Sequence, residues 1–132
     1  MMRTAIGQCP QLVFGYTRSG VDRPGFLEAC REALETWCSR EGWELGAVFT
    51  DVCSALDTED RVGFRGLLGA VTGPKRAAAV VLVDGGHLSW QADVVTELVA
   101  QIRRTGAAVR IMDGGLPPAA ARLCTSQRGC SS

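Results

Sequence analysis

The sequence predicts an α/β protein of three layers, a mostly parallel sheet between helices. Two observations carry this. Four short apolar runs alternate with three stretches whose apolar residues recur at helical spacing, giving the order βαβαβαβ. One run, Ala77 to Val83, is apolar without a break and rich in Val, as a central parallel strand covered on both faces requires. Right-handed crossovers turn that order into a parallel sheet with helices on both sides.

Each element has its own signal. The first strand is expected over Leu12 to Thr17, after a loose lead-in at residues 1–10. Pro24 opens a helix that runs to Glu41, because proline at the first turn loses no needed N–H. Gly42 suits the left-handed residue that closes it. Leu27, Cys30, Leu34, Trp37 and Cys38 share one face of this helix, which should cover the sheet.

Glu44 to Thr50 reads as the second strand, with Leu45, Ala47 and Phe49 alternating along it. The second helix starts near Arg61 with Phe64, Leu67, Leu68 and Val71 in one stripe, and Gly73-Pro74 ends it. After strand three, Val94, Val95, Leu98, Val99 and Ile102 mark the third helix. Arg103 and Arg104 complement its dipole and Gly106 closes it. Ala107 to Met112 is the fourth strand. The expected organisation is one α/β domain over 1–113 and a flexible Gly/Pro/Ser/Cys-containing tail over 114–132.

Composition sets limits. A chain of 132 residues holds one core, and fourteen basic residues balance fourteen acidic ones. That balance argues against a dominant nucleic-acid footprint while leaving room for a local basic patch. The six cysteines include no C-x-x-C pair and the only histidine is His87, so neither a metal nor a cofactor is expected. No apolar stretch is long enough to cross a bilayer, and the N-terminus shows no signal-peptide pattern. The expectation is a cytoplasmic protein with reduced thiols, Cys30 and Cys38 lying in or near the core.

In open parallel sheets, ligands bind beyond the carboxyl ends of the strands. Three loops should converge there: Arg18–Arg23, Asp51–Asp60 and Asp84–Trp90. They carry Arg18, Asp51, Ser54 and His87, and Arg61 opens the helix after the second. Two guanidiniums with a hydroxyl between them suit a phosphate, because arginine offers a planar fork of donors and keeps its charge. Against this stands a plainer arrangement, in which Arg18 and Arg61 form solvated ion pairs with Asp51, Asp57 or Asp60. For His87 the plainer reading is a partly exposed loop residue that binds nothing, and Trp90 is expected to pack beneath its loop.

These segments resemble the resolvase/invertase serine recombinases. Phe14-Gly15-Tyr16-Thr17-Arg18 looks like the family's opening Tyr-x-Arg-x-Ser motif. Phe49-Thr50-Asp51-Val52-Cys53-Ser54 is similar to its Phe-x-Asp segment followed by Ser-Gly, with Ala55 in place of that glycine. Arg61-Val62-Gly63-Phe64-Arg65-Gly66-Leu67-Leu68 matches its Arg-x-Gly-Phe-x-x-Leu-Leu helix. The resemblance covers roughly residues 12–113 and implies a flavodoxin-like, resolvase-like fold. It also implies a chemistry in which a serine attacks a DNA phosphodiester while an arginine cluster stabilises the charge, without metal.

The departures direct the functional reading. The family's nucleophile position falls on Gly20, and Ser19 stands one residue early. In extended backbone that shift turns a side chain to the opposite face. The family's Asp-Arg-Leu-x-Arg loop is here Gly86-His87-Leu88-Ser89-Trp90, without its acid and both arginines. The family's long dimerising helix and helix-turn-helix domain have no counterpart in the segment Leu116–Leu123, which offers one or two turns.

The leading expectation is therefore a serine-recombinase-like domain without strand cleavage, a binding or interaction module. Its anion site would be built on Arg18, Arg61, Ser54 and His87, and its partner would be DNA or a recombinase-like protein, including a second copy of the chain. A second reading is an active phosphodiester transferase using Ser19, or Ser54, with Arg18 and Arg61. A third is a phosphate-binding α/β domain in which Asp51 and Asp84 hold Mg²⁺.

Overall fold

The computed structural model describes residues 11–21, 23–52, 61–73, 76–89 and 91–125. Four strands form one parallel sheet: β1 (Leu12–Ser19), β2 (Glu44–Val52), β3 (Ala79–Leu82) and β4 (Ala108–Ile111), in the spatial order β2-β1-β3-β4. The helices are α1 (Pro24–Glu41), α2 (Val62–Val71), α3 (Ala92–Arg104) and α4 (Pro118–Thr125), with a 3-10 turn at Gly85–His87. The expected α/β class, parallel sheet and βαβαβαβ order all stand.

Two cores flank the sheet. On one side Leu34 and Cys38 of α1 meet Val13, Ala79 and Val81. On the other, Tyr16, Val80 and Leu82 meet Phe64, Leu67 and Val71 of α2 and Val95, Leu98, Val99 and Ile102 of α3. All four residues of β3 are buried, as its unbroken apolar run requires. Helix α1 has the bounds that Pro24 and Gly42 announce, and Gly42 adopts the left-handed conformation at φ 78°.

Three features differ from expectation. Strands β1 and β2 both run two residues further, to Ser19 and Val52, pairing Arg18 with Asp51 and Ser19 with Val52. This carries the regular pleat up to the site.

Second, the alternation along β2 breaks. Val13 pairs with Leu45 but Gly15 pairs with Val48, so the register shifts between them. That irregularity reverses the faces on either side: Leu45 and Val48 pack with α1, while Phe49 lies on the opposite side against Phe14. Ala47 is exposed. A Cβ on Gly46 would sit 2.7 Å from the Phe14 ring, so only glycine fits the bend.

Third, residues 118–125, within the stretch expected to be a flexible tail, are helical. Ala120 is fully buried, and Leu123 and Cys124 pack on the core beside α3. A helix this short is marginal alone; burial of its apolar side against α3 stabilises it.

Ala120→Asp would place an unpaired charge in that contact. It is expected to lower unfolding free energy by about 2–4 kcal/mol in urea titrations. A loose tail would leave the midpoint unchanged.

Candidate functional site

The site grows from one carboxylate. Asp51 is buried near the tip of β2 and its two oxygens reach the start of α2: Gly63 N donates to Oδ1 at 2.6 Å and Phe64 N to Oδ2 at 2.9 Å. The first amides of a helix have no partner within it, so Asp51 caps α2 from another element and places a negative charge at its positive end. The Tyr16 hydroxyl adds a bond to Oδ2 at 2.7 Å.

The approach leaves no room for a side chain at Gly63. A Cβ there would lie 2.4 Å from the Thr50 carbonyl oxygen. Glycine at that position and Asp51 at the strand tip are thus two halves of one docking contact. The next residue, Phe64, meets the Tyr16 ring edge-on at 5.5 Å.

This contact carries Arg61 to the strand edge. Arg61 precedes α2, is fully buried, and among the described residues none of its three guanidinium nitrogens has a hydrogen-bond partner. The ion pair with Asp51 considered from sequence does not form for Arg61. Asp51 spends its oxygens on two amides and a hydroxyl. A buried cation without acceptors is costly by several kcal/mol, so it attracts an anion strongly.

Arg18 stands at the neighbouring tip, opposite Asp51 across the β1–β2 pair. Strand alternation puts it on the same face as Tyr16 and Phe14, the face that α2 covers. Its guanidinium Nη2 donates to the Gly86 carbonyl at 3.2 Å and its backbone N–H to His87 Nδ1 at 3.0 Å.

His87 is not the partly exposed residue expected. It is buried, with its ring stacked on Phe26 of α1 at 5.9 Å and Nε2 3.7 Å from Cys30 Sγ. A backbone N–H can only donate, so Nδ1 is the acceptor and the neutral ring carries its proton on Nε2, towards Cys30. Burial pushes the His87 pKa below its ordinary value, and the charge of Arg18 adds to this; the charge of Asp84 opposes it. Both ring nitrogens thus face protein atoms, Nδ1 the Arg18 amide and Nε2 the Cys30 thiol. Burial likewise raises the Cys30 thiol, with the charge of Asp84 adding to it.

Ser19 is buried, and its Oγ accepts the Val21 N–H at 3.4 Å. Because β1 stays extended through Ser19, this residue shares a face with Val13, Gly15 and Thr17, opposite to Arg18. Gly20 is exposed with open space where a side chain would project. Asp84 caps the 3-10 turn through Gly86 N at 2.8 Å, and Asp51 is committed to α2, so neither supports the Mg²⁺ reading. Among the described residues no three potential metal ligands cluster. Ser54, Asp57, Asp60 and Trp90 lie outside the described residues.

The structure therefore brings Arg18, Asp51, Arg61 and His87 to one edge. Sequence reasoning passed over the capping role of Asp51, the Tyr16 hydroxyl and the Cys30–His87 contact. The available signal was Gly63: a glycine in the first turn of an apolar helix marks a close backbone approach.

The fold matches those of serine recombinase catalytic domains. The C-terminal catalytic domain of ISC1926 TnpA, an IS607-like serine recombinase, aligns with a TM-score of 0.66 at 17% identity over 79% of this chain and 71% of its own. The N-terminal catalytic domain of TP901-1 integrase gives 0.63 at 18% identity, covering 77% of each chain. The C-terminal catalytic domain of IS1535 TnpA, another IS607-like serine recombinase, gives 0.59 at 25% identity over 76% and 70%. No curated protein gives a significant match. The family model "Resolvase, N terminal domain" matches residues 13–124, and the chain belongs to that family.

Two outcomes follow for stability. Asp51→Asn replaces one acceptor oxygen by a donor facing an amide or hydroxyl, and should cost about 2–3 kcal/mol in urea unfolding. For pH, the folded His87 pKa is depressed, so the unfolded chain binds the proton more readily. Stability is then full above the unfolded value near 6.5 and is lost as pH falls towards the folded value, with a slope of up to about 1.4 kcal/mol per pH unit. Chemical denaturation between pH 7.5 and 5.5 reads this, and His87→Asn should flatten the part of the slope that His87 supplies.

Proposed function

We propose that this domain grips a phosphodiester backbone of DNA without cutting it. The observation that carries the reading is Arg61, a fully buried guanidinium whose three nitrogens have no acceptor among the described residues. A phosphate is the anion whose oxygens match that fork, and Arg18 at the adjacent tip supplies a second cation. Membership of the resolvase family supports DNA as the source of the phosphate.

The rim favours a macromolecule over a free ion. Val21 beyond β1, Val52 at the end of β2 and Val62 at the start of α2 are all exposed around this edge. A duplex lying across the edge would cover these apolar side chains while one phosphate reached the arginines.

Inactivity follows from what faces the phosphate. Cleavage needs a nucleophile beside fixed positive charge. Gly20 offers none, and Ser19 belongs to the opposite face of β1. The third loop supplies a neutral imidazole where the family resemblance would put an arginine, and loss of one such donor costs about 3 kcal/mol of transition-state stabilisation.

Incubation with supercoiled DNA and trapping under denaturing conditions should yield no covalent protein–DNA adduct. An adduct abolished by Ser19→Ala would overturn the claim of inactivity. Arg61→Met should weaken duplex binding at least tenfold in fluorescence anisotropy. It should also raise the unfolding free energy of the unbound chain by about 1–4 kcal/mol, because a buried uncompensated charge is removed. Unchanged affinity in Arg61→Met would refute the assignment of the anion site.

A further inference from the structure

We propose that His87 is a positioning residue that holds Arg18 in the anion site only while its imidazole is neutral, so that acidification releases the bound phosphodiester. The inference rests on the anion site proposed above and adds its regulation.

Two bonds that Arg18 makes come from one short loop. The backbone N–H of Arg18 donates to His87 Nδ1, and its guanidinium donates to the carbonyl of Gly86, the residue before. The loop is in turn held to α1 through His87: Phe26 covers the ring and Cys30 Sγ meets Nε2. Arg23 lies over the Phe26 ring at 4.8 Å. Thus α1, the loop and the tip of β1 meet at one imidazole.

Protonation places a hydrogen on Nδ1. The acceptor that Arg18 N–H uses at 3.0 Å becomes a donor facing a donor, and the bond is lost. Gly86 belongs to the same 3-10 turn, so the carbonyl that orients the guanidinium shifts with it.

The charged groups facing the ring are Arg18 from β1 and Asp84 from the loop, with the Cys30 thiol from α1. Arg18 opposes a second positive charge. Asp84 favours one, but its Oδ1 is engaged with Gly86 N and burial of the ring outweighs it.

The direction is diagnostic. A histidine that touches a phosphate directly makes binding tighter as pH falls. A buried imidazole acting as an acceptor behind the arginine makes it weaker. A DNA phosphodiester and arginine do not titrate between pH 5 and 8, so neither obscures the effect.

His87 is the only histidine in the chain, so its imidazole nitrogens give a single unambiguous set of resonances. In the unbound full chain, ¹⁵N NMR should show an unprotonated Nδ1 and a protonated Nε2 at pH 7.5. The Arg18 amide resonance should move with the imidazole titration. Anisotropy with a short DNA duplex at fixed ionic strength should show at least a threefold loss of affinity from pH 7.5 to 5.5. His87→Asn, whose Oδ1 can accept the Arg18 amide without titrating, should bind at both pH values alike. His87→Leu should bind weakly at both.

Affinity that rises on acidification, or an Arg18 amide indifferent to the imidazole titration, would overturn the inference while leaving the anion site standing. Absence of duplex binding at pH 7.5 would overturn the anion site and the affinity claim together. The NMR titration would still decide whether His87 holds Arg18.

Discussion

The carboxylate of Asp51 holds the start of α2 against the tip of β2, and the arrangement of this edge depends on it. One side chain satisfies two helix amides and a tyrosine hydroxyl. Among the described residues no hydrogen bond joins it to Arg61, although the same contact sets where Arg61 stands. A structural cap and an unmet positive charge are consequences of the same geometry.

That coupling gives the domain a stability–function conflict of a familiar kind. A buried guanidinium without acceptors weakens the unbound fold, while the same unmet donors favour an anion that reaches them. An anion bound there would offset the cost. The surrounding sheet bears it: β3 is buried throughout, and α1, α2 and α3 each present a stripe of buried residues. The third loop has a different role from its counterpart in the family resemblance. Where the resemblance would put arginines, His87 accepts the backbone N–H of Arg18.

Much of the fold was legible because its signals are local. Pro24 and Gly42 bracket α1, and the apolar stripes of α2 and α3 read directly as buried faces. What was hidden depends on partners distant in sequence. The register shift at Gly46 and Ala47 follows from the Phe14 ring on the next strand, so a period-two reading of Leu45, Ala47 and Phe49 put them on one face. Helix α4 exists because α3 offers it an apolar surface, which composition rich in Pro, Ala and Gly does not announce. His87 looked like a loop residue because Phe26 and Cys30, which bury it, come from the far side of two strands and a helix. Ser19 shows the intermediate case. Its one-residue offset was visible at once, but the face it takes became fixed only with β1 extended through it.

The central claim is that Arg61 is the buried cation to which a backbone phosphate binds. Its Nε–Hε resonance in ¹⁵N NMR of the full chain tests this most directly, assigned by its loss in Arg61→Met. The account predicts that a short DNA duplex shifts this signal downfield in a saturable manner, as a new acceptor reaches the guanidinium. A duplex that binds tightly while leaving the signal in place would contradict it.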